Sequence, residues 1–173
     1  MQARQQEKIR ILGIDPGTQV TGVGIIEIDH TGEPCICYYG CIETNRRQSL
    51  PLRLSQIFNG LVEIIGKYQP THIALEDIFY SENIKTAIVM GHARGVSLLA
   101  PMVNGIEPAE YSPREVKLSV VGRGNASKGQ VQFMVKQILK IKENDLPLDA
   151  TDALAVALCH YNRLYSRAKL SDI

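Results

Sequence analysis

Asp15, Glu76, Asp149 and Asp152 are the residues of this 173-residue chain whose types and positions could do chemistry together. Asp15 follows the apolar run Ile11-Leu12-Gly13-Ile14, and Glu76 follows Ile73-Ala74-Leu75. Asp149 and Asp152 open the most apolar helical segment near the C-terminus. A carboxylate at the end of a buried strand is costly without a partner. Unit charges about 4 Å apart repel by roughly 4 kcal/mol at a surface-like dielectric, so gathering several calls for a counter-charge. Oxygen ligands of this kind suit magnesium. A pair of such ions about 3.5–4 Å apart can activate a water and stabilise the leaving oxygen when an anionic phosphodiester is hydrolysed.

Each acid has a plainer reading when taken alone. Asp15 before Pro16-Gly17 makes a turn. Asp149 and Asp152, spaced i, i+3, share a helix face about 5–6 Å apart at Cβ. That pair reads more readily as first-turn chemistry, with Asp149 as N-cap and Asp152 on free amides. Glu76 is the stronger signal, because Glu is uncommon in strands and has no local partner. Asp77 should face the other way. No His/Cys pattern competes: His72, His92 and His160 suit structural or exposed positions, and His30 falls in a turn. A third dinucleotide-loop glycine, a phosphate-loop lysine and a serine-hydrolase elbow are all missing.

The elements that must carry these acids follow from periodicity. Ile9 to Asp15, Val23 to Ile28 and Cys35 to Thr44 read as three strands with short links, an antiparallel meander. Leu50 to Tyr68 has apolar residues at helical spacing and stops before Pro70, and His72 to Glu76 reads as a short central strand. Asn83 to Ala100 reads as a helix apolar over most of its surface, ended or kinked by Pro101. Ile106 to Tyr111 is a weak fifth strand. Ser112-Pro113-Arg114-Glu115 has the pattern of a capping box and opens a helix to about Val121. A helix follows from Ser127 or Lys128, and a last one runs to about Arg163. The order predicts one α/β domain with a mixed sheet flanked by helices.

Composition narrows the class. Hydrophobic content of 45% and charged content of 21% are those of an ordinary globular protein. The formal charge is +1, so net charge selects neither a nucleic-acid nor a membrane partner. Its distribution says more. From Tyr111 to Lys142 stand Arg114, Lys117, Arg123, Lys128, Lys136, Lys140 and Lys142 against Glu115 alone. A solvated helical face explains such a run, and an anion-binding surface competes with it. Cys35, Cys37 and Cys41 are expected on one strand face, too far apart to share a zinc, and with Cys159 they read as reduced cysteines of a cytoplasmic protein. The start of the chain is polar and lacks an apolar signal core, and no apolar run is expected to reach spanning length.

At this point the chain resembles a known family, the bacterial RuvC-type Holliday junction endonucleases. The segments that carry the resemblance are Ile11-Leu-Gly-Ile-Asp-Pro-Gly-Thr-Gln-Val-Thr-Gly22, Ala74-Leu-Glu-Asp-Ile-Phe79, Gly91-His-Ala-Arg-Gly95, Val116-Lys-Leu-Ser-Val-Val-Gly122 and Asp149-Ala-Thr-Asp-Ala-Leu-Ala155. They occur in the family's order from about residue 9 to 162. The resemblance implies a ribonuclease H-like fold with a five-stranded mixed sheet flanked by helices. One nuclease domain (9–165) is expected, between a polar extension read as frayed and disordered (1–8), which is not typical of the family, and a short tail (166–173). The resemblance implies a homodimer that nicks two strands of a four-way junction symmetrically, leaving 5′-phosphate and 3′-hydroxyl ends.

The family's four catalytic acids fall on Asp15, Glu76, Asp149 and Asp152, holding two Mg2+ per site with Mn2+ as a substitute. Its DNA-binding lysines fall on Lys117 and Lys128, and a junction-contacting aromatic falls on Phe79. Arg114 and Arg123, from the same cationic stretch, complete the expected DNA-contacting set. A RuvA–RuvB-type branch-migration complex is the implied partner in recombination and repair. Three other readings use the same residues: a ribonuclease H-like nuclease acting on RNA, a junction binder with an idle cleft, and half of an actin-like nucleotide-binding architecture, whose phosphate loop Asp15-Pro-Gly-Thr also resembles.

Overall fold

The computed structural model describes residues 8–77, 84–142 and 146–171, with side chains as far as residue 166. Five strands form one sheet: β1 (Arg10–Asp15), β2 (Val20–Ile28), β3 (Pro34–Glu43), β4 (His72–Glu76) and β5 (Ala109–Tyr111), in the order β3-β2-β1-β4-β5. The first three make the expected antiparallel meander. β4 then joins β1 in parallel and β5 joins β4 in parallel. Parallel neighbours need crossovers, supplied by α1 (Leu50–Tyr68) and α2 (Ile84–Val103). Three further helices follow: α3 (Pro113–Val121), α4 (Lys128–Ile138) and α5 (Leu148–Ser171).

Strand alternation sorts the core into two layers. Leu12, Ile14, Val23, Ile25, Ile73 and Leu75 pack with Ile57, Leu61 and Ile65 of α1 and with Ala93 and Ala100 of α2. Ile11, Ile26, Ala74 and Tyr111 pack on the other side with Val116, Val120, Val131, Val135 and the Leu154–Cys159 stretch of α5. Each fully buried Ile or Leu contributes about 1.5–3 kcal/mol. The same alternation decides the site. Asp15 continues the Ile11 and Gly13 parity and Glu76 continues that of Ala74, so both acids point to the α5 face.

Several boundaries depart from expectation. A bulge between Ile25 and Ile26 slips the β2–β3 register, so Cys37 packs on the α1 side while Cys41 lies against the start of α5. The expectation of one shared cysteine face is therefore corrected: a single extra residue reverses the facing of those beyond it. All four cysteines are free thiols. Helix α2 runs through Pro101, which is buried, and ends only where Asn104, Gly105 and Ile106 fold back onto the carbonyls of Pro101 and Met102. A proline so near a helix end removes one bond that the closing turn replaces.

At 20 residues and a mean hydropathy of 1.2, α2 is also long and apolar enough, by length and composition, to cross a membrane. The expectation that no run reaches spanning length is corrected. Its Arg94 is nonetheless ion-paired to Asp77 and Glu110, and one side of the helix packs on α1 and the sheet. Helix α5 outlasts its expected end near Arg163 and continues to Ser171. Before that extension the Tyr161 hydroxyl donates to the Gly32 carbonyl at 2.8 Å. At the other terminus Lys8, placed by sequence in a frayed extension, pairs with Glu27 at 3.0 Å.

Candidate active site

The acids meet at the end of the sheet where β1 and β4 finish. Ile14 lies beside Leu75 in the parallel pair, so Asp15 and Glu76 leave adjacent strands at the same level. The turn after Asp15 is fixed by Thr21, fully buried, whose hydroxyl donates to the Gly17 carbonyl at 2.7 Å. Across the antiparallel pair Asp15 stands opposite Gly22, and Gly22 stands opposite Cys41.

Helix α5 reaches this point because the sheet beneath it has no side chains in the way. A Cβ on Gly22 would lie 2.0 Å from the Asp149 carbonyl oxygen, and one on Gly13 would lie 2.0 Å from that of Ala153. At Gly24 it would meet Leu154 at 2.6 Å. Three glycines thus let the first turns of α5 rest on β1 and β2, which delivers Asp149 and Asp152 to Asp15. The Pro147 carbonyl accepts the Thr151 amide at 3.0 Å, so Asp149 lies inside the first turn. The expectation that Asp149 is the N-cap is corrected. The Ala150 amide instead donates to the Cys41 thiol from β3.

Electrostatics follow from the crowding. Burial, then the charge of Glu76, then that of Asp152, push the Asp15 carboxyl up to about 8. Glu76 is raised as well, first by burial and then by Asp152. The two share a hydrogen bond that favours the proton on Asp15 and the charge on Glu76. Lys128 Nζ lies 3.3 Å from Asp152 Oδ2. The charge of Asp152 is the chief reason that the Lys128 ammonium is held above its ordinary range. A lysine as the first residue of a helix opposes the macrodipole, and Asp152 supplies the compensation.

Both lysines are placed by helix starts with full capping boxes. Ser112 and Glu115 cap α3 and orient Lys117 one turn on. Ser127 and Gln130 cap α4, with Lys128 next to the cap. Lys117, Lys128, Glu76 and Asp152 line a cleft of about 180 Å3 with Pro113, Val116, Val131 and Ala155. Arg114 and Arg123 do not line it. Arg114 covers Gly124, and Arg123 is exposed in the α3–α4 loop. Phe79 lies outside the described residues.

Two supports below the site escaped sequence reasoning. The Tyr111 hydroxyl and His160 Nδ1 are 2.7 Å apart in the core, tying β5 to α5. On the opposite sheet face Arg94 of α2 reaches Asp77 at 3.1 Å and also pairs with Glu110 of β5. Asp77 does face away from Glu76, as alternation requires, and is engaged there.

Among the described residues, no three His, Cys, Asp or Glu side chains stand in closed metal-coordinating geometry. The shared Asp15–Glu76 proton and the Lys128–Asp152 pair hold these carboxylates in other ways. The donor set still fits a hard divalent cation: all-oxygen, acidic, desolvated enough to retain a proton at neutral pH, and backed by no imidazole or thiol ligand.

Known proteins with the same features can now be set beside this one. Residues 11–160 match the model of the family described as crossover junction endodeoxyribonuclease RuvC. The RuvC protein of Desulforamulus reducens is 48% identical over 151 residues, covering 87% of this chain and 91% of its own. That of Finegoldia magna is 45% identical over 152 residues, covering 88% and 92%. In three dimensions the chain is similar to Thermus thermophilus RuvC in complex with a Holliday junction substrate, with a TM-score of 0.82 at 26% identity over 91% of this chain and 96% of that one. The yeast mitochondrial resolvase Ydc2 shares the fold, with a TM-score of 0.63 at 14% identity over 95% and 85% of the two chains. The ribonuclease H-like architecture is the one expected, and the chain belongs to the RuvC family of crossover junction endodeoxyribonucleases.

Proposed function

We propose that this protein is a metal-dependent endonuclease that resolves four-way DNA junctions, with Asp15, Glu76, Asp149 and Asp152 as its catalytic, metal-holding acids. The observation that carries this reading is the convergence of carboxylates from β1, β4 and α5 at one end of the sheet, where Asp15 and Glu76 leave adjacent strands at the same level and Asp152 lines the same cleft as Glu76. Family membership supports the substrate, since Thermus thermophilus RuvC has been solved with a Holliday junction.

Asp15, Glu76 and the Asp149/Asp152 turn would together hold the cations. Two Mg2+ ions, or Mn2+ in their place, would supply an activated water and charge neutralisation at the leaving oxygen. Asp15 must give up its proton to serve. Lys117 and Lys128 at the cleft rim would hold the phosphates beside the scissile one, and Lys128 would exchange Asp152 for a phosphate as the substrate enters. Arg114, Arg123 and Phe79 are proposed as outer DNA contacts. The resemblance to the family supports hydrolysis that leaves 5′-phosphate and 3′-hydroxyl ends.

The exposed apolar side of α2 supports a homodimer, which suits a nearly two-fold junction and sets the distance between paired nicks. A RuvA–RuvB-type branch-migration complex is the proposed partner, and the cytoplasm, where its DNA lies, the proposed compartment.

The test is cleavage of a synthetic four-way junction with and without Mg2+. Wild-type protein should nick two opposing strands at symmetric positions only when the metal is present. Asp15→Asn should lower the rate by more than about 100-fold, the loss of several kcal/mol of metal-ion stabilisation, while junction binding survives. Full cleavage by Asp15→Asn would remove the assigned role.

A further inference from the structure

The cations that face DNA under the proposed function all lie on one side of Asp15, towards β4 and β5. The chain carries a second set on the other side. The loop after β3 holds Arg46 and Arg47, both exposed. Among the described residues, neither side chain takes part in a salt bridge or hydrogen bond, and the acid nearest in sequence is the exposed Glu43 at the end of β3.

This loop is built onto the catalytic turn. The Thr44 amide donates to the Gln19 carbonyl at 2.9 Å, and its hydroxyl donates to the Thr18 carbonyl at 2.6 Å. Arg53, from α1, donates from Nε to the Thr44 hydroxyl at 3.1 Å and from Nη2 to the Thr18 carbonyl. Thr18 belongs to the turn that follows Asp15 directly, and the row Asp15–Gly22–Cys41 runs across the sheet just before these contacts. The loop closes on itself through Asn45, whose side-chain oxygen accepts the Arg47 amide at 2.9 Å, while the Gln48 amide donates to its carbonyl at 3.0 Å. The two arginines are therefore presented from a braced loop at the same end of the sheet as the acids.

We infer that Arg46 and Arg47 form a second phosphate-binding rail, opposite Lys117 and Lys128, that grips the DNA backbone on the β3 side of the catalytic cleft. The inference rests on the proposed nuclease function. Its physical basis is the sheet order. β3 and β5 are the two edges, four strand spacings or about 19 Å apart, and Asp15 ends the middle strand between them. A backbone drawn across that end meets cations before and after the acids. Without the β3-side pair, a polyanion would have to cross the acidic centre with attraction from one side only. Guanidinium groups suit the task, because their fork matches phosphate oxygens and they never lose charge.

The test is junction binding in EDTA, followed by fluorescence anisotropy at 50 to 200 mM salt. The proteins compared are wild type, Arg46→Gln/Arg47→Gln, Lys117→Gln/Lys128→Gln and, as a distant control, Lys140→Gln, whose side chain pairs with Glu33 at the far end of the sheet. The arginine variant should flatten the plot of log affinity against log salt by about two, so that the loss of affinity over this range shrinks about tenfold. Lys140→Gln should leave the slope as it is. A wild-type slope for the arginine variant, alongside a flattened one for the lysine variant, overturns the second rail and leaves the nuclease reading standing. A wild-type protein with no preference for junction over duplex would instead remove the reading beneath it. The Arg46 and Arg47 side chains make no bond among the described residues, so the thermal melt of the arginine variant should coincide with that of wild type.

Discussion

Asp15 and Glu76 end neighbouring parallel strands at one level, where burial and the charges of Glu76 and Asp152 push the Asp15 carboxyl up to about 8. The consequence is a pH-dependent fold. The Asp15 carboxyl titrates near 8 when folded against an ordinary value of 3.8. Between those values the native state holds a proton that the unfolded chain has released. Stability of the metal-free protein therefore falls as pH rises through that window and levels off above it, by roughly a few kcal/mol in total. Mg2+ should act in the opposite direction. It needs the ionised acids, so its stabilising effect should grow from pH 6 to pH 8 and its binding should release protons. Urea melts at several pH values, with and without Mg2+, measure both trends. Asp15→Asn should flatten the metal-free trend and raise stability at pH 8. A metal-free wild type that is more stable at pH 8 than at pH 5 would contradict the shared-proton picture.

Gly22 is the contact through which the sheet holds the Asp149 turn in place. A methyl group there meets backbone on α5, and backbone cannot swing aside as a flexible side-chain end can. Gly22→Ala should cost about 1–3 kcal/mol, the usual range for overpacking. It should also lower the nicking rate at temperatures where the protein remains fully folded, because α5 carries two of the four acids. Gly66→Ala on α1, where a Cβ meets nothing within 4 Å, is the matched control and should be neutral or slightly stabilising. Denaturation curves and single-turnover rates on both variants decide the matter.

The strands, the helix starts and the four acids were legible because each depends on local chemistry. Apolar runs end at Asp15 and Glu76, and Ser112-x-x-Glu115 spells its own cap. Residues 13, 22 and 24 are glycines of one sheet face and could have been suspected from their spacing, but what they admit is a helix more than a hundred residues later. The bulge at Ile25/Ile26 leaves no clear mark in sequence, so Cys37 and Cys41 were given the same face. The expectation that Pro101 ends or kinks α2 weighs only its local cost, whereas the Asn104–Ile106 turn that absorbs it lies beyond the proline. Arg94, Asp77 and Glu110 come from three different elements, and only the folded sheet brings them together.

That Arg94 cluster links α2 to the strand end that carries Glu76. Asp77 follows Glu76 directly, its amide donates to the Tyr111 carbonyl at 2.7 Å, and Glu110 precedes Tyr111 on β5. Without the guanidinium, two like charges face each other beside the site. The carboxylates are about half exposed, so the loss in stability for Arg94→Ala should be modest, about 1 kcal/mol or less. The effect on the site should be larger: Glu76 gains freedom, and the Mg2+ concentration for half-maximal nicking should rise several-fold with junction affinity unchanged. Arg94→Lys, which keeps the charge but loses the fork, should fall between. An unaltered Mg2+ requirement in Arg94→Ala would show that the cluster serves stability alone.

Helix α2 also presents a stripe that nothing among the described residues covers. Ile84, Ile88, Leu99, Met102 and Val103 are each more than half exposed, and they follow one another at helical spacing along a single side. Gly91 and Gly95 lie midway, with open space where a Cβ would stand, and a shallow depression there is lined by Leu54, Ile88, His92 and Val96. Two copies related by a two-fold axis can cross at those glycines with backbones close and the aliphatic residues interleaved on either side. Ile88→Glu places a charge in that contact while remaining tolerable on an exposed helix. The variant should run as a monomer in light scattering at concentrations where wild type is dimeric, with little change in its own melting curve beyond the lost concentration dependence. On a four-way junction it should yield isolated single nicks in place of symmetric pairs, because each site would still be complete but no longer held at a fixed distance from a second. Ile88→Glu that remains dimeric, or that still cuts in symmetric pairs, would place the two-fold contact elsewhere on the surface.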